Sequence, residues 1–168
     1  MKQAIANGTP IDIDLEPNRD ELYSGICLKQ NDDITIMLSF DDMHGKYDGF
    51  LILRTEDIET YRDWDEDDFS EIKEDNSAEF KSLFPWEEMN TFHDCLSVLQ
   101  GKGLVSIFEE EEIEDGFLVG KIEKLTEQSL DLFLISEDGE WLETEEVELD
   151  DIAMIGFGSH YEKELEKN

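Results

Sequence analysis

The sequence predicts a mainly β chain (α+β) made of two tandem copies of one small bent-sheet unit joined by a helix. Three observations predict it. A glycine interrupts a strand-like run at Gly25 and again at Gly120, as happens where a strand bends sharply. Each glycine is followed by two hairpin strands and then by an Asp-Ile step, Asp57-Ile58 and Asp151-Ile152. Finally, ten Phe, four Tyr and three Trp are spread over 168 residues. A disordered acidic chain lacks such core-forming residues.

The elements follow in order. Residues 1–10 read as loose. Ile11, Ile13 and Leu15 alternate with Asp12 and Asp14, which predicts a half-buried strand closed by Pro17. Residues 22–31 and 34–40 predict two strands around the turn Asn31-Asp32-Asp33. The stretch DDMHGKYDG reads as a polar turn, FLILR at 50–54 as the next strand, and IETY at 58–61 as a short closing strand after a one-turn connector. Residues 65–83 are acidic and partly helical. Pro85 suits the first position of a helix, and Glu87 and Glu88 suit its first turn, so a helix is expected over 86–100. Strands follow at 103–111, 117–125, 129–136, 140–149 and 152–158, with a hairpin turn at Glu137-Asp138-Gly139. Ser159 is placed as the N-cap of a terminal helix.

The two halves match in spacing more than in identity. Ile34, Ile36 and Leu38 are set against Leu130, Leu132 and Leu134, Tyr47 against Trp141, and Asp42 against Asp138. From Gly25 to Ile58 is 33 residues, and from Gly120 to Ile152 is 32. A bent strand, a hairpin, a one-turn connector and a closing strand form the pattern of a small SH3-like or Sm-like β-barrel. The organisation expected is an N-terminal barrel-like repeat over 1–64, an acidic segment with a helical connector over 65–102, and a C-terminal repeat over 103–168. Asp48-Gly49-Phe50 with Glu56-Asp57-Ile58, the Trp86 segment, Gly120-Lys121-Ile122, Gly139-Glu140-Trp141 and Phe157-Gly158-Ser159 with Tyr161 carry a resemblance. On these pieces the chain resembles a group of uncharacterised bacterial proteins with two SH3/Sm-like repeats and a connecting helix. That resemblance implies the fold and no activity.

Charge bounds the function. Forty-six acids against thirteen Lys and Arg give a net charge of −33. Such a chain repels phosphates and anionic membranes and attracts basic surfaces. No secretory segment opens the sequence, and no apolar run approaches the roughly 18 residues of a membrane span. The expected location is the cytoplasm, with Cys27 and Cys95 as buried, reduced thiols.

Candidate sites lie in the acid runs. Read from Asp63, the stretch 63–74 places Asp63, Asp65, Asp67, Glu71 and Glu74 at ligand positions of a calcium-binding loop. Asp68 stands where that loop needs glycine, and Ser70 where it needs an apolar residue. The run therefore reads as a solvated acidic face, with no metal and no cofactor expected. Asp65, Glu66, Asp67 and Asp68, and Glu109, Glu110, Glu111 and Glu112, are the partner-binding candidates. His44, His93 and His160 are too few and too scattered for a metal site, and His93 and Cys95, two apart on one helix, face different sides and form no nucleophile pair. No HExxH, GxSxG or phosphate loop is present. Tyr47 and Trp141 lie near turns and are assigned to core packing ahead of base stacking.

The function expected is a non-enzymatic, acidic protein-interaction module with a basic protein surface as partner, and neither nucleic acid nor membrane. Its sharpest form is an immunity or inhibitor protein covering the basic cleft of a toxin or nuclease. The alternatives are a small-ligand or metal-binding enzyme using the run 63–74, and a structural or regulatory module with no dedicated site.

Overall fold

The computed structural model of the chain describes residues 2–15, 22–109 and 117–167. It is mainly antiparallel β and divides into two units, Met1–Asn90 and Thr91–Asn168. Residues 65–90 belong with the first unit and 91–102 with the second, in place of a separate connector over 65–102.

The first unit opens with helix α1 (Lys2–Asn7) where a loose terminus was expected. Gly8, at a φ of 63°, ends it and lets its N–H reach the Ile5 carbonyl at 3.2 Å. Five strands follow: β1 (Pro10–Leu15), β2 (Tyr23–Gln30), β3 (Ile34–Asp41), β4 (Lys46–Arg54) and β5 (Ile58–Asp63). A 3-10 turn, Thr55–Asp57, joins β4 to β5. The strand order is β5-β1-β2-β3-β4, so the chain returns to pair β5 with β1. α1 rests against β2. The first five residues of β3, Ile34 to Leu38, are buried on both faces, so alternation vanishes there. Two short helices, α2 (Glu66–Ser70) and α3 (Ser77–Lys81), complete the unit. Phe50 of β4 meets the edges of Phe80 and Phe84, at 5.8 and 5.6 Å between ring centroids.

The second unit opens with helix α4 (Phe92–Leu99), eight residues instead of the expected 86–100. Pro85 starts only one turn, closed by the Glu88 N–H on the Pro85 carbonyl at 2.9 Å. The helix begins six residues later because Thr91 and Asp94 form a reciprocal capping box, each side chain accepting the other's backbone N–H at 3.0 Å. Then come β6 (Val105–Glu109), β7 (Leu118–Leu125), β8 (Ser129–Ile135), β9 (Trp141–Glu148), a 3-10 turn (Leu149–Asp151) and β10 (Ile152–Phe157). The strand order is β10-β6-β7-β8-β9, and α4 rests against β7. Helix α5 (His160–Leu165) starts at the expected Ser159 cap, closed by Glu162. The buried Glu162 carboxylate also accepts the Ser106 hydroxyl at 2.6 Å, which ties α5 to β6.

Within each unit the same irregularities recur. Gly25 lies opposite Ile11 and Ser39, and Gly120 opposite Val105 and Leu134. The register slips between Cys27 and Lys29 in β2, and between Ile122 and Lys124 in β7. It slips again between Leu38 and Phe40 in β3, and between Phe133 and Ile135 in β8. These pairings align Thr35, Met37 and Ser39 with Leu130, Leu132 and Leu134, one residue away from the match expected from the sequence. The length difference falls in the hairpin turn: Phe40 pairs with Tyr47, whereas Ile135 pairs with Trp141. Among the described residues, no helix is long and apolar enough to cross a membrane.

Candidate protein-binding surface

The run 63–74 does not form a ligand loop. Asp63 ends β5, and Glu66–Ser70 winds into α2 through the middle of the stretch. Asp65 is the N-cap of that helix, its Oδ1 accepting the Asp67 and Asp68 N–H groups at 2.9 and 3.1 Å. Asp68 accepts the Asp65 N–H at 2.8 Å and both Arg62 amino groups, at 2.6 and 3.2 Å. The Arg62 guanidinium, then the Asp65 N–H, holds the Asp68 carboxyl below the usual range. Glu71 closes α2 through its backbone, and the Glu74 N–H donates to the Gly45 carbonyl at 3.1 Å. Among the described residues, no three His, Cys, Asp or Glu side chains stand together to hold a metal.

What α2 does instead is clasp the sheet. Arg62 also donates to Oδ2 of Asp12, whose side chain is only 7% exposed. Asp12 Oδ1 accepts the Ser24 hydroxyl at 2.6 Å and the Trp64 indole N–H at 2.8 Å. Asp12, expected on the solvent face of β1, is thus a buried carboxylate that accepts from three donors. The cleft beside it is about 170 Å³, below the roughly 300–1,000 Å³ of usual ligand sites. Of the partner-binding candidates, Asp65 and Asp68 are engaged in this clasp, while Glu66 and Asp67 are exposed on α2. Glu109 ends β6, and Glu110, Glu111 and Glu112 lie outside the described residues.

Neither thiol offers chemistry. Cys27 and Cys95 are buried and in no disulfide, and burial pushes the Cys27 thiol up to about 12 despite its contact with the Lys29 carbonyl. A thiol-specific disulfide reagent at neutral pH should titrate no thiol in the native protein within minutes and two thiols in denaturant.

The exposed acidic surface lies on a strand that sequence reasoning passed over. Strand β9, WLETEEVE, is the edge of its unit's sheet and pairs with β8. Both ends are pinned. Gly139, at a φ of 80°, closes the hairpin with its N–H on the Ser136 carbonyl at 2.9 Å. Buried Val147 and Leu149 anchor the other end, where the Leu149 N–H reaches the Gln128 carbonyl at 2.7 Å. Between these anchors every residue from Trp141 to Glu146 is exposed. Glu143, Glu145, Glu146 and Glu148 have no ion-pair partner among the described residues. Register places Phe50, Leu51, Ile52 and Leu53 of β4 at the positions of Thr144, Glu145, Glu146 and Val147. One strand is mostly buried and apolar, the other open and acidic.

Apolar groups flank the acids. Trp141, expected in the core, is 43% exposed and stacks on Phe133 at 4.7 Å with 15° between the rings. Lys121 sits over it, 4.8 Å from the ring centroid. Tyr47, at the matching position of β4, is buried as expected. A groove of about 280 Å³ opens beside β9, lined by Phe117, Val119, Leu134, Leu142 and Tyr161. Phe117 and Leu142 are 44% and 51% exposed, which is unusual for large apolar side chains grouped together. Burial, then the Glu137 and Glu162 carboxylates, push the Tyr161 hydroxyl up. A second cavity, of about 460 Å³, is lined by Lys102, Lys121, Glu123, Phe133 and Glu166, with its charges mixed in sign. Comparison with known proteins gives no match: no family model, curated protein or solved structure is significantly similar to this chain.

Proposed function

We propose that the chain is a non-enzymatic protein-binding module that engages a basic protein surface. The observation that carries the proposal is β9: an exposed sheet edge bearing four carboxylates with no ion-pair partner among the described residues and flanked by exposed Trp141 and Leu142. Carboxylates on an uncovered edge also keep copies of an acidic chain apart. That role does not account for the exposed apolar groove beside them. The sharpest form of the reading is an immunity or inhibitor protein that covers the basic, nucleic-acid-binding cleft of a toxin or nuclease, where acids compete with phosphate. We propose also that the two units are copies of one SH3-like or Sm-like unit, on the strength of their shared strand order and shared register slips. In this account the first copy keeps β4 apolar, and the second has turned the corresponding strand outward for binding.

The test is capture from native lysate at low salt, with elution at high salt and mass spectrometry of the eluate. The triple variant Glu143→Lys, Glu145→Lys, Glu146→Lys is run beside the wild type. A basic protein retained by the wild type and lost, at least tenfold, by the variant is the expected result. Equal retention by both overturns the assignment to β9. A shift in stability of only about half a kcal/mol is expected for such surface changes, so loss of capture is separable from unfolding.

A further inference from the structure

We infer that the partner binds as an extended, lysine- or arginine-rich segment that adds to the sheet as a strand along β9 and seats one apolar side chain in the groove beside Leu142. This rests on the binding reading above and deepens it. An edge strand presents a row of backbone N–H and C=O groups, and a peptide that pairs with them gains ladder hydrogen bonds without any particular sequence. β9 meets the geometric needs of such pairing. It runs eight residues with one register shift between Trp141 and Thr144, is pinned by its hairpin and by Val147, and is open over six consecutive residues.

Side-chain chemistry then selects the occupant. Successive residues of an added strand point to opposite faces. On one face they meet Thr144, Glu146 and Glu148, and on the other Leu142 and Glu145. The register slip at Phe133–Ile135 puts Trp141 with the first set, which is why it reaches Phe133. Basic residues are therefore favoured on both faces, and an apolar residue is favoured where the added strand passes Leu142, with Phe117, Leu134 and Tyr161 around it. A second copy of this chain is the wrong occupant on charge. The other exposed edge strand, β5, reads IETYRD, and the whole chain carries −33.

The probe is a synthetic seven-residue peptide alternating lysine with valine and ending in one leucine, titrated into the nitrogen-15-labelled full chain. Two further versions carry N-methyl groups on the odd or on the even amides. A paired strand turns only alternate amides toward the sheet. The expected result is that one methylated version binds at least tenfold more weakly and the other binds as the parent does. Amide shifts should centre on β9, and Leu142→Asp should weaken the parent peptide at least fivefold. If both methylated peptides bind as the parent does, strand addition is wrong while acid-to-base binding stands. If a glutamate version of the peptide binds equally well, or no peptide binds, the binding reading fails with it. Concentration-dependent self-association that protects β9 amides would instead make a second copy the occupant and overturn the inference.

Discussion

Asp12→Ala is expected to destabilise the protein by about 2–5 kcal/mol, a loss of roughly 10 °C in Tm. Asp12 is the hub of the clasp. Removing its carboxylate strands the buried Trp64 indole N–H, leaves the Ser24 hydroxyl without its acceptor, and frees Arg62 from the sheet. Buried donors without acceptors cost about 1–3 kcal/mol each. Asp14→Ala, two residues along the same strand on the same face but only part-buried, is the control and should cost well under 1 kcal/mol. Urea unfolding by tryptophan fluorescence reads both. The same clasp gives an acid limb to stability. The Asp68 carboxyl lies below its unfolded value, so its contribution is present above about pH 4 and is lost as pH falls through the lowered folded value.

Gly25→Ala and Gly120→Ala are expected to cost roughly 3 kcal/mol or more each, because each would force a methyl group into opposing backbone. A Cβ on Gly25 would lie 2.0 Å from the Leu38 carbonyl oxygen, and one on Gly120 would lie 2.4 Å from that of Phe133. Leu38 and Phe133 occupy corresponding places in their units, so the same close approach of two strands sets the bend in both. Gly101→Ala separates this effect from backbone strain alone. A Cβ there meets nothing within 4 Å, but its φ is +77°, so about 1 kcal/mol is expected. Thermal unfolding of the three variants gives the order. Equal, small losses for all three would show that the strands can separate to admit a side chain.

Much of the β architecture was legible because its signals are local. Gly25, Gly120, the Glu137-Asp138-Gly139 turn and the one-turn connectors before Ile58 and Ile152 each need a residue type that the backbone dictates. What failed to show depends on packing. Burial of Ile34 to Leu38 on both faces erased the alternation that would have set the match between β3 and β8. Pro85 with two glutamates imitated a helix start, and the Thr91–Asp94 capping box decided the real one. Asp12 read as a solvent-facing residue because its donors, Arg62 and Trp64, lie about fifty positions away. The candidate surface was hidden for a related reason. Acids at successive positions of β9 marked it as polar, but nothing local shows that a strand beginning with Trp141 and Leu142 is left uncovered. The run 63–74 drew attention by density alone, and the fold uses its carboxylates for a cap and for Arg62.

Electrostatic attraction between β9 and a basic protein surface is the central expectation. Exposed charges are screened over roughly 8–10 Å at physiological ionic strength, and steered association slows sharply as salt rises. The most direct measurement is the association rate of the captured partner with the wild type and with the Glu143→Lys, Glu145→Lys, Glu146→Lys variant, across about 20 to 300 mM salt. The expected result is a wild-type on-rate that falls at least tenfold over that range, and a variant on-rate that starts low and changes little. A wild-type on-rate independent of salt, or a partner that proves to be RNA stacked on Trp141, would contradict it.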